Sequence, residues 1–177
     1  MATPLFPVES VIKKFTNLTE QDCFYLGQAF AVRSESDDPK AKHVPLSGVG
    51  AVIANRAGEI ARSANVLPPK LKAAFQASDH AIDESERYFV IEHAERAAIF
   101  KALADGKDLK GATLYATRFP CSDCARAIVW SGIERAVFPK GFAGEVRWLD
   151  AQRAALRIMR DSGIKVRYLS LLPVLDE

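Results

Sequence analysis

The chain has 177 residues, with 24 basic and 22 acidic side chains and a formal charge of +2. One domain of this length is expected to bury about two-thirds of the surface that its unfolded chain exposes, and an apolar fraction of 49% supplies the core. The near balance of charge argues against a protein held on nucleic acid by bulk electrostatics. No apolar run reaches the length of a membrane span, and three cysteines are too few for a disulfide framework. Met1 to Lys14 carries no basic-then-apolar leader, so no secretory signal is expected and a cytoplasmic location is the default.

In chain order, the first helix is expected from about Glu20 to Arg33. Thr19 can cap it, and Asp22 lies in the first turn, where an acid suits the helix dipole. Phe24, Leu26, Ala29, Phe30 and Val32 form its buried stripe. Ser34 to Ser47, broken by Asp37-Asp38-Pro39 and by Pro45, reads as a surface excursion. Gly48 to Ala54 is an apolar strand, Asn55 to Gly58 a turn, and Glu59 to Ala64 the returning antiparallel partner. A second excursion, Val66 to Arg87, opens on Pro68-Pro69 and holds a short helix over Leu71 to Ala77.

Phe89 to Leu103 has one long helical pattern, closed by Asp105-Gly106. Thr113 to Thr117 is a strand, and after Pro120 a helix runs to about Trp130, stopped by Gly132. Arg135 to Phe138 is a short strand. Trp148 to Arg160 is helical, with Leu149, Ala155, Leu156 and Met159 as its apolar set, and Ile164 to Leu169 is the last strand. Trp130, Trp148 and Phe138 are expected as packing residues and Cys23 as a core cysteine. Strands alternating with helices over short connections predict parallel β-α-β units in the later half. The expected fold class is α/β: a three-layer α/β/α arrangement with a mixed five-stranded sheet and helices on both faces. One domain is expected over 1–177, with its core over about 20–169 and an apolar tail after it.

Two segments carry the chemistry: His93-Ala94-Glu95 and Pro120-Cys121-Ser122-Asp123-Cys124. Both fall near helix starts, which parallel strands bring to one edge of a sheet, where α/β ligand sites lie. Cys121 and Cys124 are spaced to share a helix face, and a helix N-terminus favours thiolate over thiol. Cys-x-x-Cys by itself fits a redox pair as well as a metal site. One imidazole and two thiolates make three ligands of a tetrahedral zinc with a fourth position open, the mark of a catalytic site. Glu95, two residues past His93, points in a different radial direction and suits a proton shuttle rather than a ligand. His-x-Glu followed by Pro-Cys-x-x-Cys is the pattern of the zinc-dependent nucleobase deaminases.

On these motifs the chain resembles the cytidine and deoxycytidylate deaminase superfamily, and looks most like its deoxycytidylate branch. The resemblance runs over roughly Leu26 to Leu169. Supporting it are Ser36-Asp37-Asp38-Pro39 before Val49-Gly50-Ala51-Val52-Ile53, Thr113-Leu114-Tyr115-Ala116-Thr117 before Phe119-Pro120-Cys121, and Gly163-Ile164-Lys165-Val166-Arg167. It implies the cytidine deaminase-like fold and hydrolytic deamination of an amino-substituted heterocycle, most like a cytosine-type nucleoside or nucleotide. It also implies zinc on His93, Cys121 and Cys124, Glu95 as acid and base, and Asn65 against the substrate. Phe119 and Pro120 are further candidates for the base pocket. The branch's extra metal site is not matched, because no cysteines accompany His43 or His80, so one Zn2+ per chain is expected.

Competing readings are a deaminase of a purine or an unusual small heterocycle, a non-catalytic zinc-binding protein of the same fold, and a redox protein. The acidic run from Asp79 to Glu86 argues against a polynucleotide substrate. Arg33, Lys40, Lys42 and Lys70 are candidate cations for a phosphate. Arg96 and Arg126, near the motifs, fit either the screening of a phosphate or of an acid beside the site, or a solvated helix face. The apolar run Leu169 to Leu175, with the resemblance, implies a homodimer or larger homo-oligomer.

Overall fold

The computed structural model describes residues 18–44, 47–139 and 148–169. Its elements are α1 (Glu20–Val32), a 3-10 turn (Arg33–Glu35), α2 (Pro39–His43), β1 (Gly50–Asn55), β2 (Gly58–Ala64), α3 (Pro69–Ala77) and α4 (Arg87–Val90). They continue with α5 (Ala94–Ala104), β3 (Thr113–Ala116), α6 (Ser122–Trp130), β4 (Arg135–Pro139), α7 (Leu149–Asp161) and β5 (Lys165–Leu169). The strands form one five-stranded sheet in the order β2-β1-β3-β4-β5. β1 runs antiparallel to both β2 and β3, whereas β3, β4 and β5 are parallel. The expected mixed sheet is present, with its hairpin at one edge. The apolar tail from Ser170 onward and the segment Met1 to Lys14 lie outside the described residues.

Period-two alternation along β1 divides the core between the two faces. Ala51 and Ile53 point toward α5, α6 and α7, packing with Ala98, Ile128, Ala155 and Met159. Val52 and Ala54 point the other way, against Tyr25, Leu26 and Ala29 of α1. The two parallel crossovers therefore place α6 and α7 on one face, as right-handed β-α-β units between neighbouring strands require. Thr19 and Asp22 form a reciprocal capping box at the start of α1. α1 lies so close to β1 that a Cβ on Gly50 would sit 2.0 Å from the Ala29 carbonyl oxygen, so glycine is required there. Gly132, at φ +79, takes the left-handed conformation that ends α6.

Three expectations are corrected. The pattern from Phe89 to Leu103 is not one helix. α4 ends at Val90, and Glu92 instead exchanges backbone hydrogen bonds with Val66, at 2.8 and 3.1 Å. A residue held in that bridge cannot join the helical ladder, so α5 starts only at Ala94, with His93 extended as its N-cap. Phe24, expected in the buried stripe of α1, is 59% exposed. Asp22 is drawn inward to Arg135 and Tyr115, and this turns Tyr25, Leu26 and Ala29 to the sheet and Phe24 away from it. Trp130 stands outside the core at 89% exposure, while Phe138 is fully buried. Cys23 is half-buried on α1.

Candidate metal centre and catalytic cleft

The bridge that breaks the helix also builds the site. It leaves His93 extended at the N-terminus of α5, directly across from the N-terminus of α6. Cys121 is the N-cap of α6 and Cys124 lies in its first turn. The His93 Nδ1 atom is 3.5 Å from Cys121 Sγ and 3.5 Å from Cys124 Sγ. All three donor atoms lie within 4.8 Å of one another.

The charge states fit a cation at their centre. The hydrogen bond from Cys124, aided by the one from His93 and opposed by burial, brings the Cys121 thiol down to about 4. The same bond from Cys124, together with burial, holds the Cys124 thiol well above its ordinary value. Hydrogen bonding to Cys121, against burial, draws the His93 imidazole up to about 9. A single thiolate is thus shared by two donors at a convergence point that a divalent cation can take over from the protons. With Zn–N near 2.0 Å and Zn–S near 2.3 Å, a tetrahedral centre places N and S about 3.5 Å apart. Both N–S separations match that spacing, so the donor set fits zinc.

Neighbours hold these ligands in place. Glu92 accepts the backbone N–H of His93 at 3.0 Å and is paired to Arg96 at 2.7 Å. Arg96 also reaches Asp123 at 3.7 Å, linking α5 to α6 behind the cysteines, whereas the more exposed Arg126 pairs with Asp123 from the solvent side. The Trp148 indole meets the His93 ring edge-on at 5.9 Å.

A cleft of about 120 Å³ opens beside the trio, lined by Asn65, Glu95, Phe119, Trp148, Gln152 and Arg118 as well as His93 and Cys121. Glu95 is 3% exposed, and burial raises its carboxyl above the ordinary carboxylate value. It has no Arg or Lys partner among the described residues, and a raised carboxyl suits a group that must both take and give a proton. Asn65 is buried and lines the cleft; its Oδ1 accepts the Val49 N–H at 2.8 Å, and its Nδ2 has no acceptor among the described residues. Phe119 lines the cleft while its ring packs against Phe138 and stacks on Tyr168. Pro120 is buried at the entry to α6, and the cleft wall runs through its neighbours Phe119 and Cys121.

Two rim features are legible only in the fold. Asp37 accepts from Lys72 Nζ at 2.7 Å and from the Leu67 N–H at 3.0 Å, and Asp38 pairs with the buried Arg87 at 2.7 Å. The two excursions are therefore latched together over the cleft. Of the cations named from sequence, Lys40 lines the cleft, whereas Arg33 is not in its lining and lies close enough to Arg118 to feel its charge. Burial, followed by the nearby Arg118 charge, lowers the Arg33 guanidinium. Arg118, Trp148 and Gln152 were missed in the sequence. The one available signal was that Trp148 and Gln152 are four apart at the start of a helix, so they share a face. Among the described residues, the two buried side-chain polar atoms without a hydrogen-bond partner are Ser47 Oγ and Gln152 Oε1, and both residues line this cleft.

Fold and site together define a zinc-dependent hydrolytic deaminase, with convergent imidazole and thiolate donors at paired helix N-termini beside a buried glutamate. The profile described as the cytidine and deoxycytidylate deaminase zinc-binding region matches residues 19–140, and the chain belongs to that family. It is 35% identical to the deoxycytidylate deaminase of Mycobacterium phage D29 over 129 residues, 67% of this chain and 94% of that protein. With the deoxycytidylate deaminase of Enterobacteria phage T4 it shares 40% identity over 75 residues, 42% of this chain and 35% of the relative. Its fold is similar to the crystal structure of the dCMP deaminase of cyanophage S-TIM5 in complex with dCMP and dUMP. That match has a TM-score of 0.62 at 20% identity, covering 86% of this chain and 99% of the other. Among the described residues, no helix is long and apolar enough to cross a membrane.

Proposed function

We propose that this chain deaminates a cytosine-type mononucleotide, deoxycytidylate, to the corresponding uracil nucleotide and ammonia. The observation that carries the reading is a buried Glu95, with no Arg or Lys partner among the described residues, in a cleft that also exposes His93 and Cys121. The deoxycytidylate deaminase relatives support the choice of base. Arg118 on the cleft wall, with Lys40 and the nearby Arg33, supports a phosphorylated ligand.

One zinc per chain would be held by His93, Cys121 and Cys124. When bound, it supplies a Lewis acid that lowers the pKa of water toward neutrality. Glu95 accepts a proton from the attacking water and delivers it to the ring nitrogen beside the amine-bearing carbon. It then carries the second water proton to the amine, which leaves as ammonia. Burial serves both transfers, because a raised carboxyl sits closer in proton affinity to its partners. Asn65 Nδ2 donates to the sugar or ring, Phe119 walls the base, and Pro120 fixes the chain entering α6.

Phe100 and Leu103 on α5 and Trp130 on α6 are exposed, which supports a homo-oligomer built on that face. The deciding experiment measures ammonia release from dCMP, deoxycytidine, cytosine and short RNAs, with Glu95→Gln as the blank. Turnover of dCMP above the others is expected. Turnover confined to a free base or to RNA would overturn the reading.

A further inference from the structure

Gln152 is polar, yet it sits in the first turn of α7 with only 3% of its surface exposed. Its Oε1 is shielded from solvent and receives no hydrogen bond. Among the described residues, none accepts from its Nε2 either. Buried amide groups are almost always hydrogen-bonded, and an exception in a native fold calls for an explanation. Position supplies one. Gln152 lies one helical turn past Trp148, whose indole packs on the His93 ring. Both residues line the cleft that holds Glu95.

We infer that Gln152 is a specificity-determining residue whose Oε1 accepts a hydrogen bond from the exocyclic amine of the substrate base. This rests on the cytosine-type reading above. An unpaired acceptor is complemented only by a donor. A cytosine ring attached to its sugar presents one N–H donor, the exocyclic amine; its ring nitrogen and carbonyl oxygen are acceptors. Deamination replaces that amine with a carbonyl oxygen, which sets lone pairs against the lone pairs of Oε1. The contact therefore favours substrate over product and helps to release the product. A site built to hydrogen-bond a substrate group rejects the analogue that lacks it, because its own polar atom is then left unpaired.

The test uses the zinc-loaded full chain carrying Glu95→Gln, which binds ligand without consuming it. Calorimetry gives the dissociation constants of dCMP and dUMP, and the quantity read is their ratio. Adding Gln152→Leu is expected to weaken dCMP about tenfold, the effect of one neutral hydrogen bond, while moving dUMP less than about twofold. Gln152→Met, which keeps length and flexibility, is expected to lose the same discrimination should the leucine variant fail to fold. Gln152→Glu, which keeps an acceptor, is expected to retain it. A thermal melt of Gln152→Leu at or above the parent is also expected, because the buried Oε1 it removes has no hydrogen bond to lose. A ratio unmoved by either apolar variant, or an equal loss of both ligands, overturns the inference and leaves the substrate reading standing. Failure of dCMP to bind with Gln152 intact overturns the substrate reading and this inference with it.

Discussion

Two buried carboxylates sit at opposite ends of the sheet and have opposite surroundings. Asp22, near the start of β4, is 1% exposed. Its oxygens accept from Arg135 Nη1 and Nη2, from the Tyr115 hydroxyl at 3.0 Å and from the Thr19 N–H at 3.0 Å. Burial alone would raise its carboxyl, but the Arg135 and Thr19 hydrogen bonds and the Arg135 charge hold it below the ordinary value. Glu95, past the other ends of the strands, is buried as deeply with no such cation, and its carboxyl is raised. Burial is common to both, so the direction of each shift is set by the partners. The paired end ties α1 to β3 and β4. The end without an Arg or Lys partner keeps a proton available, and among the described residues Ser47 Oγ and Gln152 Oε1 are unsatisfied beside it.

The contrast can be broken most severely at the metal donors. Cys124→Ser is expected to reduce zinc from one per chain to a small fraction and to abolish turnover, as read by elemental analysis alongside ammonia release. A variant that retains full zinc would show that Cys124 is not a ligand. Glu95→Gln is expected to lower kcat by about 10²–10⁴-fold, with zinc content unchanged and the melting temperature at or above the parent. A melting temperature several degrees lower would mean that Glu95, like Asp22, is structurally paired.

At the opposite end the effects should be on stability alone. Asp22→Asn is expected to destabilise the fold by about 3 kcal/mol, the low end for breaking a buried pair, because Arg135 keeps 24% of its side chain exposed. Specific activity of the folded fraction should be unchanged. The pH dependence follows from the sign of the shift. A folded carboxyl below its ordinary value of 3.8 stabilises fully above that value, and the contribution is lost as pH falls through the lowered one. Urea midpoints of the parent and Asp22→Asn should therefore differ at neutral pH and converge in acid. A constant gap down to the lowest accessible pH would refute the pairing account. Tyr115→Phe, which removes one of the Asp22 donors, is the gentlest probe, with an expected loss of about 1 kcal/mol. No loss in urea would show that the Arg135 fork alone satisfies the carboxylate.

The sequence by itself determined what depends on neighbours a few residues away. The cap at Thr19, the strand alternation, the glycine stop at Gly132 and the spacing of His93-Ala94-Glu95 and Cys121-Ser122-Asp123-Cys124 are all local patterns. The resemblance to the deaminases rests on those motifs and carried the site chemistry with them. Only tertiary structure decided the features that join distant segments. Val66 claims the backbone of Glu92, and so it cuts a continuous helical pattern and frees His93 to meet the cysteines. Arg135 turns α1 about Asp22, leaving Phe24 in water, although the two residues are 113 apart in sequence. Trp148 and Gln152 enter the cleft because α7 crosses from β4 to β5 on the face that carries α5 and α6. Periodicity marks which residues share one face of a helix, but the partner that the face meets is set by chain folding over long separations.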